Sequence, residues 1–277
     1  MSTEATTSRF AELPSARLHY NEMGDGDVVI MLHGGGPGAA GWSNFAGNIE
    51  AFAKRYRVLL VDMPGFGKSA KPYYEEGQGT FSARCILELM DHLNIEKAHF
   101  VGNSLGAHAA MCLALSHPER TADLILMAPA LSVGFVMPWP TEGAKALRGY
   151  YHGEGPSLER MRDFISKLVY DSTLVTDEVV RMRYEASIVP EVAEWARTMG
   201  PRAGRIEPIW NRFNEISNRT LLVWGRDDTV VPLDRALFMV QQMPNVRLHI
   251  FAHCGHWAMV ERADEFNRLC RDFLDHS

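Results

Sequence analysis

Short apolar runs alternate along the chain with stretches in which apolar positions recur at helical spacing. The continuous run at 28–32 indicates a buried strand, and apolar positions three and four residues apart, as in 80–93, indicate a helix. Strands are predicted over 28–32, 56–61, the run before Gly102, 122–127, 220–225 and 247–251, and helices over 42–52, 80–93, 108–115, 233–243 and 263–274.

The segment before the first buried run has the pattern of a hairpin. Residues 17–21 alternate polar and apolar positions, and the Gly-Asp-Gly-Asp of 24–27 is typical of a turn. A hairpin is therefore predicted to lead into the strand at 28–32.

Strand–helix alternation predicts an α/β fold in which a mostly parallel sheet is covered by helices on both faces. The alternation stops after Pro129 and resumes at Thr220. The intervening stretch of about 80 residues is too long for a loop and has no convincing strand pattern. We therefore predict a core domain of residues 1–130 and 214–277 and an inserted helical lid of residues 131–213.

Helix signals occur within the predicted lid. Thr176 is a suitable N-cap, and Pro190 suits the first turn of a helix. One helical face carries Leu158, Met161, Phe164, Ile165 and Leu168. Large side chains of the lid hint weakly at a pocket for an aryl group, although such residues more often form ordinary core: Phe135, Met137, Trp139 and Phe164.

Composition and charge narrow the classes of function. The 277 residues carry a net charge of −6, which argues against a nucleic-acid partner. No run of about 18 apolar residues occurs, so no membrane span is expected, and the polar, acidic start does not have the pattern of a signal peptide. The four cysteines (Cys85, Cys112, Cys254, Cys270) are scattered, which suggests reduced thiols of a cytoplasmic protein.

The stretch Gly102-Asn103-Ser104-Leu105-Gly106 joins an apolar run to a helix-forming run. A Gly-x-Ser-x-Gly at a strand–turn–helix junction holds the serine in a strained conformation with its hydroxyl exposed. Glycine is needed at both ends because the helix passes too close to the strand for a Cβ atom. The pattern predicts that Ser104 is a nucleophile.

The run His33-Gly34-Gly35-Gly36-Pro37-Gly38 directly follows a predicted strand. Its glycines present bare backbone N–H groups, which in a serine hydrolase stabilise the oxyanion of the tetrahedral intermediate. A second glycine-containing turn, Gly67-Lys68-Ser69, resembles the end of a phosphate loop. That motif needs a glycine where Asp62 stands, so we predict a structural turn and expect no cofactor.

A serine nucleophile needs a base and an acid that orients the base. Two loops after later strands supply them in the expected order of serine, acid and histidine. We predict Asp228 as the acid in preference to Asp227, because it lies three residues after the strand end. We predict His256 as the base in preference to His253, because a glycine precedes it.

The alternative for the histidine pair is a metal site that includes Cys254. Such a site needs a further ligand at a workable spacing, and the sequence offers none, so no metal is expected.

Nearly end to end, the chain resembles the meta-cleavage-product hydrolases, which are carbon–carbon bond hydrolases of the α/β-hydrolase superfamily. The most specific stretches are 33–44 (His-Gly-Gly-Gly-Pro-Gly-Ala-Ala-Gly-Trp-Ser-Asn), 62–66, 102–106, 224–228 and Cys254-Gly-His-Trp257. The resemblance is greatest to members that act on biphenyl-type ring-fission products. It implies an eight-stranded, mostly parallel sheet flanked by helices, with an inserted helical lid.

The resemblance also implies an activity and a set of site residues. Members hydrolyse 2-hydroxy-6-oxo-hexa-2,4-dienoates at the C5–C6 bond, without a cofactor, and a homo-oligomer is expected. The implied residues are Ser104, His256 and Asp228 as the catalytic triad, Gly35 and Leu105 as the oxyanion hole, and Gly34, Asn44, Asn103, Arg183 and Trp257 as dienoate contacts. Leu105 and Ala107 depart from the family pattern, which usually has methionine and glycine there. The backbone donor is kept, whereas the substrate preference is left open.

Arg183 is also singled out by helical spacing. It shares a face with Val179 and Val180, the first apolar residues of its predicted helix. An arginine on the buried side of a lid needs an anion, and a substrate carboxylate can supply it through a bidentate pair. The alternative is a salt bridge to Glu185 or Glu191. Two other functions remain open for the whole chain, a carboxylesterase with the same triad and a non-catalytic ligand receptor.

Overall fold

The strands form where the chain carries apolar runs. The computed structural model describes residues 3–130, 140–203 and 206–276. Its strands are β1 (Ser8–Ala11), β2 (Leu18–Met23), β3 (Val28–Leu32), β4 (Arg57–Val61), β5 (Ala98–Asn103), β6 (Thr121–Met127), β7 (Thr220–Gly225) and β8 (Val246–Phe251).

All eight strands belong to one sheet with the order β1-β2-β4-β3-β5-β6-β7-β8. The first two pairings, β1 with β2 and β2 with β4, are antiparallel, and the others are parallel. The predicted eight-stranded, mostly parallel sheet is therefore confirmed. Because parallel strands end at the same edge, the loops after β3, β5, β7 and β8 meet there.

The predicted hairpin between residues 17–21 and 28–32 is wrong. β2 pairs antiparallel with β4, and β4 lies between β2 and β3 in the sheet. The turn at 24–27 is present, with positive φ at Gly24 and Gly26. It connects β2 to β3, which are not neighbours in the sheet because β4 lies between them. Gly24 packs against the backbone of Ala53 and Tyr56, just before β4, where a Cβ atom would lie 2.3 Å from the carbonyl oxygen of Tyr56.

Helices cover both faces of the sheet. They are α1 (Glu4–Thr7), α2 (Gly41–Phe52), α3 (Gln78–His92), α4 (Leu105–Ser116), α5 (Glu142–Gly149), α6 (Leu158–Ser166), α7 (Asp177–Ser187), α8 (Pro190–Ala203), α9 (Asp234–Gln242), α10 (Ala258–Glu261) and α11 (Ala263–Asp275). Short 3-10 turns occupy Pro118–Arg120, Ser172–Leu174 and Ile209–Glu215. None of the helices in the described ranges is long and apolar enough to cross a membrane.

The stretch between β6 and β7 contains α5 to α8, and its described residues, from 140 to 203 and from 206 to 219, form no strand. Thr176 caps α7, since its side chain accepts the Val179 N–H at 3.2 Å, and Pro190 begins α8. The division into core and lid remains a prediction, and residues 131–139, with Phe135, Met137 and Trp139, lie outside the described part.

The apolar face predicted for α6 is buried, apart from its first residue. Met161, Phe164, Ile165 and Leu168 are all buried, whereas Leu158 is 48% exposed at the start of the helix. Each fully buried side chain of this kind contributes about 1.5–3 kcal/mol to folding. Phe164 packs against Gly36, which follows β3, so α6 lies near the edge of the sheet at which the parallel strands end.

Candidate active site

Ser104 occupies a strained turn between β5 and α4. Its φ of 52° and ψ of −110° lie outside the regions that non-glycine residues usually adopt. A Cβ atom on Gly102 would lie 2.5 Å from the backbone of Ala107, and one on Gly106 would lie 2.1 Å from the carbonyl oxygen of Leu32. The predicted strand–turn–helix, and the need for both glycines, are confirmed.

His256 and Asp228 are hydrogen-bonded to each other in the buried loops after β7 and β8. His256 Nδ1 lies 2.7 Å from Asp228 Oδ2. The other carboxylate oxygen, Oδ1, accepts the backbone N–H groups of Val230 and Val231 at 2.7 and 2.9 Å. Three hydrogen bonds fix this buried carboxylate, and the bond from the histidine holds the imidazole with its proton on Nδ1.

Glycines bring these two loops together. A Cβ atom on Gly225, at the end of β7, would lie 2.0 Å from the carbonyl oxygen of Gly255. Gly255 in turn packs against Leu168 and Val169, just beyond α6. The Leu168 carbonyl accepts the backbone N–H of His256 at 2.8 Å. The histidine loop is therefore bonded both to the sheet and to the helical segment above it.

The rejected alternatives lie elsewhere. Asp227 pairs with Arg226 at 3.2 Å and accepts the Cys254 N–H at 3.4 Å. His253 is exposed and packs its ring against Tyr170. Neither of them contacts the Asp228–His256 pair through a hydrogen bond in the described part of the chain. No hydrogen bond joins Ser104 to His256 in this structure, although both residues are described.

The glycine run after β3 lies beside the serine turn because Leu32 pairs with Gly102 in the sheet. A Cβ atom on Gly35 would lie 2.9 Å from Leu105 Cδ2, so the two predicted oxyanion donors belong to adjacent segments. Leu105 is the first residue of α4, and its N–H therefore has no intrahelical acceptor. The positive end of the α4 dipole also points toward this position.

His33 fixes the start of the glycine run through hydrogen bonds of its ring. Its Nε2 accepts the Met63 N–H at 3.0 Å, so Nδ1 carries the proton and donates to the Gly34 carbonyl at 2.7 Å. Burial lowers the pKa of His33 to about 4, which keeps the ring neutral at physiological pH. These contacts give His33 a structural role in the loop after β3.

Arg183 is buried on the face of α7 that spacing predicts. It is 2% exposed, and its Nη1 donates to Ser43 Oγ at 3.1 Å and to Asn44 Oδ1 at 3.3 Å. Its guanidinium carbon lies 5.2 Å from the ring centre of Trp257. Arg183, Asn44 and Trp257, from three distant segments, are thus brought together, and Ser43 is a contact that sequence reasoning missed.

The charge of Arg183 is not neutralised by an acid of the described chain. No ion pair joins it to Glu185, and Glu191 lies 3.8 Å from Lys71 instead. Its Nε is buried and has no hydrogen-bond partner among the described atoms. Burial lowers the pKa of Arg183 to about 10, so the side chain remains charged near neutral pH. A buried cation of this kind is stabilised by a bound anion.

Gly34 and Asn103 are in contact with each other. A Cβ atom on Gly34 would lie 2.9 Å from Asn103 Oδ1, an oxygen that is buried and has no hydrogen-bond partner among the described residues. The Asn103 amide nitrogen approaches the carbonyls of Met127 and His256 at 3.5 and 3.4 Å. Asn103 therefore keeps an open acceptor next to the serine.

A cavity of about 1000 Å³ opens at this edge of the sheet. Of the predicted site residues, Gly35, Ser104 and Leu105 line it, together with the Arg183 partner Ser43. The remaining predicted residues (Gly34, Asn44, Asn103, Arg183, Asp228, His256 and Trp257) are not among those that line it. Phe164 contacts Gly36 of the lining, where a Cβ atom would lie 2.9 Å from the ring.

One cluster in the described chain has the residue types of a metal site. His108, Cys112 and Glu207 offer ligand atoms within 4.8 Å of one another. Glu207, however, already pairs with His108 Nε2 at 3.1 Å and accepts the N–H groups of Gly79 and Thr80 at 3.1 and 2.7 Å. These contacts account for the carboxylate as a structural link between α4 and the start of α3.

The chain is similar to known proteins over nearly its whole length. The profile of the alpha/beta hydrolase family matches residues 29–269. A 2-hydroxy-6-oxo-6-phenylhexa-2,4-dienoate hydrolase from Comamonas testosteroni is 45% identical over 284 residues, which cover 98% of each chain. A 2-hydroxy-6-oxononadienedioate/2-hydroxy-6-oxononatrienedioate hydrolase from the same organism is 45% identical over 281 residues, which cover 98% of this chain and 97% of the relative.

A solved structure of a meta-cleavage product hydrolase has a similar fold. A variant of the meta-cleavage product hydrolase CumD from Pseudomonas fluorescens IP01, in complex with acetates, has a TM-score of 0.88 at 37% identity, with 97% of both chains covered. The sheet order and the serine turn define an α/β-hydrolase. Within the alpha/beta hydrolase family, the chain belongs to the meta-cleavage product hydrolases. It is therefore an enzyme of the hydrolase class.

Proposed function

We propose that this enzyme hydrolyses the C5–C6 bond of 2-hydroxy-6-oxo-hexa-2,4-dienoates, giving 2-hydroxypenta-2,4-dienoate and a carboxylic acid, in the degradation of aromatic compounds. The observation that carries the proposal is Arg183, a buried cation without an acidic partner in the described chain, whose hydrogen-bond partner Ser43 lines the same cavity as Ser104. The substrates of the two Comamonas testosteroni relatives carry a carboxylate next to the dienol, which suits this cation.

In the proposed mechanism Ser104 is the nucleophile, His256 the base and Asp228 the acid that orients it. His256 Nδ1 donates to Asp228, so Nε2 is left as the acceptor for the serine proton. The strained φ of Ser104 projects its hydroxyl away from the sheet. The backbone N–H groups of Gly35 and Leu105 stabilise the oxyanion that forms at C6.

The dienoate end is bound by Arg183, Asn44, Asn103, Gly34 and Trp257. Arg183 takes the carboxylate, and the open Oδ1 of Asn103 accepts from the 2-hydroxyl group. Trp257 packs against the guanidinium and restricts its orientation. This arrangement holds the negatively charged end of the substrate at a fixed distance from the serine.

Bond cleavage needs an electron sink, because carbon is a poor leaving group. Protonation of the bound dienolate at C5 gives a keto form with a C2 carbonyl and a C3–C4 double bond. Ser104 then attacks C6, and the electron pair of the C5–C6 bond moves through the double bond to the C2 oxygen. Water displaces the acyl group from Ser104, which regains its proton, and the carboxylic acid leaves.

Three finer properties belong to the same proposal. The enzyme acts in the cytoplasm, which the four free and buried cysteines favour. It assembles as a homo-oligomer, which exposed apolar side chains on the edge strand β8 and on α9 (Ile250, Leu237 and Val240) favour. The C6 substituent is an aryl or alkyl group.

Ser104→Ala tests the proposal. Loss of one hydroxyl leaves the binding groups in place, so affinity for the dienoate should stay within about tenfold. Turnover should fall by about three orders of magnitude or more, because the covalent step is lost while the oxyanion hole remains. The conjugated substrate is coloured, so its bound form is followed by absorption. Near-normal product release would instead favour direct attack of water on the ketone.

The same assay separates the rival functions. A wild-type enzyme that hydrolyses 4-nitrophenyl esters but leaves dienoates intact would be a carboxylesterase. Tight binding of the dienoate with no turnover of either substrate would indicate a ligand receptor. Only release of 2-hydroxypenta-2,4-dienoate supports the carbon–carbon hydrolase.

A further inference from the structure

The cavity carries a second cationic region, formed by Arg148 of α5 and Arg235 of α9. We propose that these two arginines bind a carboxylate at the far end of the acyl part of the substrate, so that the preferred substrate is a dianion. The inference rests on the proposed function, because it assigns the C6 substituent of the same reaction.

Two hydrogen bonds join the start of α5 to the segment that precedes α9. The Gly143 N–H of α5 donates to the Thr229 carbonyl at 3.1 Å, and Thr141 Oγ1 donates to the Val230 carbonyl at 2.9 Å. Residues 229–231 lead directly into α9. Arg148 and Arg235 therefore line one stretch of the cavity although they are far apart in the sequence.

Arg235 is an unusual residue for a cavity wall. It is 1% exposed, and burial lowers the pKa of its guanidinium. The negative charges of Asp234 and Asp228 act in the opposite direction, and the positive charge of Arg148 lowers the pKa further. The positive charges of the two guanidinium groups thus repel each other, and an anion bound between them would offset that repulsion.

The remaining walls of this stretch are apolar. Ala144, Leu147, Val230 and Val231 line it. Acids line the cavity elsewhere: Glu4 pairs with Lys68 at 2.5 Å, and Asp62 pairs with His19 and accepts the backbone N–H of Gly41. An apolar wall that ends in two arginines suits a hydrocarbon chain or ring that ends in a carboxylate.

This region is distinct from the Arg183 site. Arg183 lies against Ser43, Asn44 and Trp257, and the charged or polar groups that act on its pKa are Tyr151 and Tyr150. Neither Arg148 nor Arg235 is among them. A substrate with one carboxylate at Arg183 and its C6 carbonyl at Ser104 has its acyl group left to extend along the remaining cavity, toward the second pair of arginines.

The test compares two substrates that differ at C6, 2-hydroxy-6-oxononadienedioate and 2-hydroxy-6-oxo-6-phenylhexa-2,4-dienoate. We expect the wild-type kcat/KM to be at least about tenfold higher for the dioate. Arg148→Met, at an exposed position where misfolding is not expected, should lower kcat/KM for the dioate at least about tenfold more than for the phenyl substrate. Lys145→Met, an exposed cation of the same helix that does not line the cavity, is the matched control and should change neither value.

Arg235→Met distinguishes two roles of this arginine, which are binding of the substrate carboxylate and electrostatic stabilisation of Asp228. A purely supporting role would lower kcat/KM for both substrates by the same factor, whereas carboxylate recognition lowers it selectively for the dioate.

Succinate, the acid released from the dioate, should inhibit the wild type more strongly than butyrate, and this difference should vanish in Arg148→Met. Equal losses on both substrates, or a wild type that prefers the phenyl substrate, would overturn the inference. Failure to cleave either substrate would instead contradict the proposed function.

Discussion

Asp228 Oδ2 lies 2.7 Å from His256 Nδ1, while Oδ1 of the same carboxylate accepts two backbone N–H groups from the turn that follows. The acid is therefore held by backbone groups of its own loop while it orients the histidine. This pair is the part of the proposed triad with complete hydrogen bonding in the structure.

Asp228→Asn should lower kcat on the dienoate by about 10⁴-fold, because an amide favours the imidazole tautomer that cannot accept the serine proton. Circular dichroism should show an intact fold. Asp227→Asn is the control, since Asp227 pairs with exposed Arg226, and it should change kcat by less than about threefold. A comparable loss in both variants would show that the wrong acid has been assigned.

Arg183→Ala should reduce kcat/KM for a dienoate about 100-fold or more, because a bidentate pair has two hydrogen bonds to a charged group, each of about 1.5–3 kcal/mol. A neutral ester such as 4-nitrophenyl butyrate has no carboxylate and should be affected much less. Arg181→Ala, an exposed arginine of the same helix, should leave both rates unchanged. Equal losses on both substrates would mean that Arg183 has only a structural role.

Gly106→Ala should destabilise the protein by about 3 kcal/mol or prevent folding, because its Cβ atom would lie 2.1 Å from a backbone oxygen of β3. Gly47→Ala makes the same chemical change in α2, where a Cβ atom meets nothing within 4 Å. That variant should gain about 0.5–1 kcal/mol from helix propensity. Urea denaturation measures both, and similar free energies of unfolding for the two variants would refute the steric argument.

Low pH should weaken the hydrogen bonds by which Glu207 joins α4 to α3. Burial opposes ionisation, but the hydrogen bonds from His108 and from the Thr80 N–H dominate and lower the pKa of Glu207 to about 2, from an ordinary value of 4.5. A group whose pKa is depressed in the folded state stabilises the fold above its unfolded pKa. That contribution is lost as the pH falls from 4.5 toward 2.

The measurement is the free energy of unfolding as a function of pH in this window. Glu207→Gln should show a shallower decline below pH 4.5 than the wild type, because the titrating group is absent. Glu185→Gln, at an exposed position of α7, is the control and should keep the wild-type slope. An unchanged slope in Glu207→Gln would exclude the carboxylate as the source of the pH dependence.

Local patterns predicted most of the secondary structure and the serine turn. The strand at Thr220–Gly225 and the cap at Thr176 follow from side chains that are close together in the sequence. The hairpin prediction was wrong because the choice of strand partner is not local. β2 reaches β4, whose residues lie more than thirty positions further along the chain, and no pattern near the turn reveals that preference.

In the candidate site, too, features set by nearby residues could be predicted and contacts between distant segments could not. Helical spacing from Val179 and Val180 predicted the buried side of Arg183, and the structure agrees. Its hydrogen bond to Ser43 could not be predicted, because it joins segments 140 positions apart. Arg235 carried no signal at all, since an arginine at the start of a helix is ordinarily exposed and only the folded chain buries it.

The Leu168 carbonyl accepts the backbone N–H groups of both His256 and Trp257, at 2.8 and 3.3 Å. Backbone hydrogen bonds thus join the helical insertion directly to the loop that carries the proposed base. Any exchange of this insertion between related enzymes would therefore shift the histidine as well as the shape of the cavity. Chimaeras built to change selectivity should show altered turnover even toward substrates that both parents accept.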